Sequence, residues 1–133
     1  MNVLFVCVQN AGRSQIAEAL FRRAVAGAHE TRSAGSAPAE HVHPEVIEAM
    51  GELGVDLDNR TPNRLERADS EWADVVVTMG CGDACPYIPG KRYIDWELND
   101  PAGKGLAETR TIRDEIAARV KALLADLDRK AST

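Results

Sequence analysis

The chain has 133 residues, of which 44% are apolar and 28% are charged, a composition typical of one soluble globular domain. Its formal net charge is −5 and no basic stripe stands out, which argues against a nucleic-acid-binding protein. The N-terminal apolar run lacks a basic leader and is far shorter than the about 20 residues of a membrane span, so we expect a cytoplasmic protein without membrane or nucleic-acid partners.

The first predicted elements are a strand and a helix joined by a loop. The apolar run 3–6 predicts a short buried strand. Apolar residues at helical spacing follow between 14 and 25, and Gly27 is expected to end that helix. A loop that turns from a strand into a helix brings its backbone N–H groups and the positive end of the helix dipole to one point. Residues 7–14 are therefore a candidate anion site.

The rest of the chain predicts strands and helices in alternation. Further strands are expected at 29–33, 74–79 and 92–96, and further helices at 43–54, 61–68 and 112–127. In the short helix at 61–68, residues 61–63 are expected to form the cap and first turn, and the helix continues through Leu65 to Ala68. Glycine and proline concentrate between 80 and 105, and residues 129–133 are expected to form a loose tail.

This alternation predicts the α/β class, with residues 1–133 forming a single three-layer domain. A parallel sheet of four strands would lie between layers of helices. Sheets of this type bind ligands at the carboxyl ends of their strands. The loop at Cys7 and the segment that begins at Gly80 both follow such ends, so we expect them on the same side of the sheet.

The loop from Cys7 to Ser14 combines a nucleophile with donors for an anion. The positive field of the loop favours the thiolate of Cys7 over the thiol. Arg13 offers a fork of donors to a tetrahedral oxyanion, the Ser14 hydroxyl is placed to bind the thiolate, and Asn10 is suited to fixing the turn. The residues expected to bind the anion are Val8, Gln9, Asn10, Ala11, Gly12, Arg13 and Ser14. The spacing alone also fits a plain strand end with an incidental arginine.

The Asp100-Pro101 pair is a second candidate feature. It is common in turns, and the same carboxyl group is a candidate general acid held over the anion. Together with Cys7 to Ser14 and the order of elements between them, the pair resembles the low-molecular-weight protein tyrosine phosphatase family over essentially the whole chain. The resemblance implies the fold of that family.

Within that family, other residues resemble the thioredoxin-coupled arsenate reductases that use three cysteines. The resemblance rests on the run 99–104 and on the paired Cys81 and Cys85. Ala102 stands where the phosphatases typically carry an aromatic residue after the Asp-Pro pair. The resemblance therefore implies arsenate reduction and arsenic detoxification.

The resemblance also implies a role for each site residue. Cys7 attacks arsenate held by the loop and Arg13, while Asp100 assists loss of the leaving oxygen. Cys81 then attacks the sulfur of Cys7, which releases arsenite and leaves a Cys7–Cys81 disulfide. Cys85 converts this into a Cys81–Cys85 disulfide for thioredoxin or a similar dithiol reductant. No cofactor and no metal is expected.

The spacing of Cys81 and Cys85 has a structural consequence. On a helix, residues four apart hold their Cβ atoms about 5–6 Å apart, whereas a disulfide needs about 3.8 Å. Oxidation is therefore expected to loosen residues 80–90. The familiar thioredoxin-coupled members separate these two cysteines more widely.

Several alternatives stay open. A phosphatase would use Cys7, Arg13 and Asp100 and leave the other cysteines without a role. A reductase coupled to a small thiol such as mycothiol would need neither Cys81 nor Cys85.

Two metal sites are also conceivable, a zinc site from residue types and a potassium site that the resemblance implies. The candidate zinc ligands are His41, His43, Cys81 and Cys85. Some relatives bind potassium beside the loop, with ligands that correspond here to Asn10, Glu18, Ser33 and Asn63. Asn63 stands where those relatives have an acid, which argues against the cation.

Overall fold

A computed structural model of the chain describes residues 1–25, 29–80 and 89–131. The strands and helices of this part of the chain follow one another in the order that the sequence predicts. The elements are β1 (Asn2–Cys7), α1 (Arg13–Val25), β2 (Glu30–Gly35), α2 (Pro44–Gly51), α3 (Arg67–Trp72), β3 (Val75–Thr78), β4 (Arg92–Asp95) and α4 (Leu106–Ala131).

The four strands form one parallel sheet in the order β2-β1-β3-β4. Cys7, the last residue of β1, lies opposite Gly35 at the end of β2, and Thr78 of β3 lies opposite Asp95 of β4. Because parallel strands end at the same edge, the loops that follow β1, β3 and β4 meet there. The predicted fold class is confirmed.

The central strand β1 is buried on both faces of the sheet. Phe5 packs into the larger cluster with α1 and α4, whereas Leu4 and Val6 pack into the smaller cluster on the opposite face. All three side chains are at most 1% exposed. Each contributes roughly 1.5–3 kcal/mol through burial of its apolar surface. The loop after β1 therefore starts from a firmly held strand.

The long C-terminal helix α4 covers one face of the sheet. Its apolar stripe, which includes Ile116, Val120 and Leu127, lies in the core. It continues to Ala131, through the first three of the five residues expected to form a tail, and 132–133 lie outside the described residues. In the described ranges, no helix is both long and apolar enough to cross a bilayer.

The short helix of this region begins later than predicted. Residues 61–66 are not helical, and the helix, α3, begins at Arg67 after a capping box between Glu66 and Asp69. The N–H of Gly35 donates to the carbonyl of Asn63 at 2.8 Å, and the N–H of Leu65 donates to that of Gly35 at 2.9 Å. The end of β2 therefore supplies the hydrogen bonds that a helix would have formed locally, and tertiary pairing overrides the capping signal.

An ion-pair cluster joins the end of α2 to α4. The carboxylate of Glu52 accepts hydrogen bonds from Arg110 at 2.5 Å and from Arg113 at 2.8 Å. These bonds, that of Arg110 first, lower the pKa of Glu52 to about 2. The cluster lies on helices that do not contribute to the loop of residues 7–14.

Candidate active site

Residues 7–14 form a loop, called the cradle below, whose carbonyl groups are bonded on its outer side. The N–H groups of Ser36, Ala37, Ala39 and His43 donate to the carbonyls of Cys7, Val8, Gln9 and Ala11 at 2.8–3.2 Å. The N–H and C=O of one peptide group point in opposite directions. Residues 36–43 therefore orient N–H groups of the cradle toward its inner side, where the sulfur of Cys7 lies.

Asn10 illustrates this orientation. Its N–H donates to the sulfur of Cys7 at 3.3 Å, while the carbonyl of the same peptide group, that of Gln9, accepts from Ala39 on the outside at 3.0 Å. Asn10 has a φ of 50°, in the left-handed region that asparagine tolerates better than most residues. The residue is fully buried.

Close packing of β2 holds the cradle in place. A Cβ atom at Gly35 would lie 2.6 Å from the carbonyl oxygen of Val8 and 2.9 Å from the backbone nitrogen of Asn10. Only a residue without a side chain permits this approach. Gly35 is thus part of the support for the backbone of the cradle, a role that its sequence context did not indicate.

The sulfur of Cys7 is enclosed by hydrogen-bond donors. It lies 2.9 Å from the hydroxyl oxygen of Ser14, which itself accepts a hydrogen bond from Nδ2 of Asn10 at 2.6 Å. A thiolate at Cys7 can only accept, so in that state the hydroxyl of Ser14 donates to the sulfur while it accepts from Asn10. Two donors, the Ser14 hydroxyl and the Asn10 N–H, therefore face a buried sulfur, the surroundings in which a nucleophilic thiolate is stabilised.

Arg13 is the first residue of α1 and part of the cradle, and its side chain contacts two other loops. Its guanidinium is 3.4 Å from a carboxylate oxygen of Asp100 and donates to the carbonyl of Leu98 at 3.5 Å. A Cβ atom at Gly80 would lie 2.6 Å from Nη1 of Arg13, so the chain after β3 passes directly against the guanidinium. Arg13 is 7% exposed. Its remaining donors and the α1 dipole provide the positive charge that an oxyanion needs.

Residues 98–103, called the acid loop below, cover one side of the cradle. Asp100 is exposed, at 47% of its side chain, and its other carboxylate oxygen accepts the N–H of Ala102 at 3.0 Å. A Cβ atom at Gly12 would lie 2.8 Å from Cγ of Pro101. The turn therefore brings a carboxyl group to the site, so the two interpretations of Asp100-Pro101 are compatible.

A buried polar network behind the cradle was missed by the sequence analysis. Gln15 is fully buried, and its amide donates to the side-chain oxygen of Asn10 at 3.0 Å and accepts from Arg60 at 3.3 Å. Arg60 also pairs with Glu18, which is 2% exposed. Arg60 and Gln15 are 45 positions apart, and no local pattern connects them. The signal available in the sequence was the position of two polar residues, Gln15 and Glu18, on the buried face of α1.

The four candidate potassium ligands form hydrogen bonds or ion pairs within the same network. The carboxylate of Glu18 binds the guanidinium groups of Arg22 and Arg60 and accepts the Ser33 hydroxyl at 3.3 Å. The positive partners of this carboxylate are thus arginine side chains. In the described ranges, no cluster of three or more His, Cys, Asp or Glu side chains is arranged to hold a metal ion.

Two of the predicted site residues, Cys81 and Cys85, lie outside the described residues, as does most of the segment expected to loosen on oxidation. The zinc hypothesis depends on the same two cysteines. Its other members, His41 and His43, lie just before α2, where the N–H of His43 supports the carbonyl of Ala11.

Comparison with known proteins relates these contacts to a family. The family model described as low molecular weight phosphotyrosine protein phosphatase matches residues 2–133. A putative arsenate reductase of Halobacterium salinarum is 44% identical over 121 residues, 87% of this chain and 85% of the relative. The glutaredoxin arsenate reductase of a Synechocystis species is 35% identical over 128 residues, 94% of this chain and 97% of the relative.

Solved structures give the same result for the fold. The thioredoxin-dependent arsenate reductase of Corynebacterium glutamicum matches with a TM-score of 0.83 and 43% sequence identity. The match covers 97% of this chain, and this chain spans 62% of that one.

Proposed function

The chain belongs to the low molecular weight phosphotyrosine protein phosphatase family, and we propose that it is an arsenate reductase. One observation carries the proposal: the buried sulfur of Cys7 faces two donors inside a cradle that Arg13 closes, in a chain that is similar over most of its length to proteins named arsenate reductase. Arsenate is a tetrahedral oxyanion, so it suits the N–H groups of such a loop.

In the first step, the cradle and Arg13 bind the arsenate oxygens while the Cys7 thiolate attacks arsenic. An As–O bond breaks as the As–S bond forms, and the departing oxygen takes up protons to leave as water. Asp100, which is 3.4 Å from Arg13, is the candidate proton donor. The negative charge that develops on the remaining oxygens is stabilised by the donors already in place.

In the second step, the thiolate of Cys81 attacks the sulfur of Cys7. An S–S bond forms, the electron pair of the As–S bond passes to arsenic, and arsenite with arsenic in the +3 state is released. Cys85 then attacks Cys81, which frees Cys7 and leaves a Cys81–Cys85 disulfide. Two observations support this step: the presence of Cys81 and Cys85 in the sequence, and the position of Gly80, which lies against the guanidinium of Arg13.

An external dithiol must then reduce the Cys81–Cys85 disulfide. The Corynebacterium glutamicum relative is named thioredoxin-dependent, which favours thioredoxin, whereas the Synechocystis relative is named a glutaredoxin arsenate reductase. The three cysteines of a complete relay argue for the thioredoxin route. Because the relay starts from free thiols, it suits a reducing compartment such as the cytoplasm.

Phosphatase activity is the second candidate function. Cys7, Arg13 and Asp100 together are sufficient for attack on a phosphate ester and protonation of its leaving group. The contact between Arg13 and Asp100 fits this candidate as well as it fits the first step of arsenate reduction. It assigns no role to Cys81 and Cys85.

The deciding experiment compares the wild type with C81S and C85S in an assay with arsenate, thioredoxin, thioredoxin reductase and NADPH. We expect sustained NADPH oxidation for the wild type, no arsenite from C81S, and at most a single equivalent of arsenite per chain from C85S. Repeating the assay with glutaredoxin and glutathione, and with mycothiol, identifies the reductant.

Hydrolysis of p-nitrophenyl phosphate is the matched control, because all three forms keep Cys7, Arg13 and Asp100. Equal hydrolysis rates show that both variants are folded. Sustained turnover of C81S on arsenate with thioredoxin would refute the relay. Rapid ester hydrolysis without any arsenite from the wild type would establish the phosphatase instead.

A further inference from the structure

We propose that Arg60 is a positioning residue that sets the direction of a buried hydrogen-bond relay ending on the sulfur of Cys7. The proposal rests on the proposed function only in taking Cys7 as the nucleophile. Arg60 lies on the loop between α2 and α3 and is partly exposed, at 27% of its side chain. It touches no atom of Cys7 and acts through other side chains.

The relay is continuous from Arg60 to the sulfur. Nε of Arg60 donates to Oε1 of Gln15 at 3.3 Å, and Nε2 of Gln15 donates to Oδ1 of Asn10 at 3.0 Å. Nδ2 of Asn10 then donates to the Ser14 hydroxyl at 2.6 Å, which lies 2.9 Å from the Cys7 sulfur. The three intermediate residues are fully buried, so water does not compete for these bonds.

The direction of such a relay depends on the donors that lead into it, which are Arg60 at Gln15 and the backbone N–H of Asn63 at Asn10. The side-chain amides of Gln15 and Asn10 have nearly the same shape in both orientations, with oxygen and nitrogen exchanged. A guanidinium has only donors, so Arg60 requires the oxygen of Gln15 to face it. The nitrogen of Gln15 must then face Asn10, whose own nitrogen is turned to Ser14. In each of these steps the donor lies on the Arg60 side and the acceptor on the Cys7 side, and a thiolate at Cys7 is then the acceptor for the Ser14 hydroxyl.

Glu18 keeps Arg60 in this position. Its carboxylate is 2% exposed and pairs with the guanidinium of Arg60 while Nε of the same group reaches Gln15. Arg22 pairs with the other oxygen of that carboxylate and has no bond to Gln15. A lysine at position 60 would keep a charge for Glu18, but its single nitrogen cannot reproduce the two-pronged contact.

A second contact limits the expected effect. The backbone N–H of Asn63 also donates to Oδ1 of Asn10, at 2.8 Å, and so favours the same orientation. Loss of Arg60 should therefore weaken the donor on the sulfur and not abolish it. Arg13 and Asp100, the charged groups on the open side of the cradle, stay unchanged in the variants below.

The test measures alkylation of Cys7 by iodoacetamide as a function of pH, in a C81S/C85S background where Cys7 is the one remaining thiol. For R60Q we expect the rate near pH 6.5 to fall about threefold to tenfold, the size of one hydrogen bond. The midpoint of the rate profile should move to higher pH. R60K, which keeps the ion pair with Glu18, should slow alkylation similarly and serves if R60Q does not fold.

R22Q is the matched control, since it removes a partner of Glu18 without touching Gln15, and it should alkylate like the parent. In Q15M, which interrupts the relay, adding R60Q should cause no further slowing. The proposal is overturned if R22Q slows Cys7 as much as R60Q, if R60K alkylates at the parental rate, or if R60Q still slows Cys7 in the Q15M background. Because the assay needs no arsenate, its failure leaves the reductase proposal intact, and failure of arsenate reduction leaves this result standing.

Discussion

The cradle contains Arg13 and the acid loop contacts it, yet the two regions are held in very different ways. In the cradle, Cys7, Asn10 and Ser14 are at most 2% exposed, and the backbone carbonyls are bonded to residues 36–43. In the acid loop, Asp100 is largely exposed and reaches the site through an ion pair of 3.4 Å. The groups that would bind the oxyanion thus belong to the core, whereas the group that would donate a proton is attached from the surface.

The strongest test of this contrast is R13K, which removes the group that both regions share. Lysine keeps the charge but lacks the fork, so it cannot bind an oxyanion in two places while facing Asp100. We expect kcat/KM for arsenate to fall about 10²–10³-fold, as when a preorganised donor to a developing anion is lost. Steady-state kinetics with thioredoxin measures it. Wild-type kcat/KM in R13K, with an unchanged melting temperature, would contradict a binding role for the guanidinium.

G12A separates the two regions. Its added Cβ would lie 2.8 Å from Cγ of Pro101 and should displace the acid loop without changing the donors on the sulfur. We expect the single-turnover rate of arsenite formation to fall about tenfold, less than the about 10²-fold loss of a general acid in D100N. Iodoacetamide alkylation of Cys7 should stay unchanged. Slower alkylation in G12A would mean that the two regions are not independent.

E52Q is expected to have the smallest effect and to spare both regions. Glu52 joins α2 to α4, and its folded-state pKa of about 2 lies below the ordinary value of 4.5. The pair therefore stabilises the folded state above pH 4.5, and this contribution is lost as the pH falls from 4.5 toward 2. At pH 7 we expect the melting temperature to drop by about 1–2 °C, the size for exposed ion pairs.

Calorimetry of the wild type and E52Q between pH 7 and pH 3 checks that sign. The difference between them should shrink at the acid end. A difference that grows on acidification contradicts the lowered pKa, and a change in arsenate turnover contradicts the separation of this cluster from the site.

The parts of the molecule that could be predicted are those with local causes. The apolar run of β1 and the helical spacing of α4 reflect burial of adjacent residues, and the structure has both elements there. The prediction of helix at residues 61–66 was wrong because the end of β2, about 30 positions earlier, supplies hydrogen bonds to this segment.

The contacts of the site also divide into local ones, which could be predicted, and distant ones, which could not. Cys7, Arg13 and Ser14 lie in one loop, so their spacing alone suggested that they meet. The contact of Gln15 with Arg60 and the approach of Gly80 to Arg13 join distant segments, and their residue types have many other uses. Position 80 requires a glycine because its φ is positive and because Arg13, 67 positions earlier in the sequence, leaves no room for a Cβ atom.

The outward bonding of the cradle carbonyls also bears on how such a protein can evolve. Residues 36–43 support the loop from behind, so substitutions on its open side leave that support intact. A lineage can exchange the surface segments that face the anion, and with them the reaction, while inheriting the same core. Hydrolysis and reduction can then be carried out on the same fold, by proteins that differ at a few surface residues.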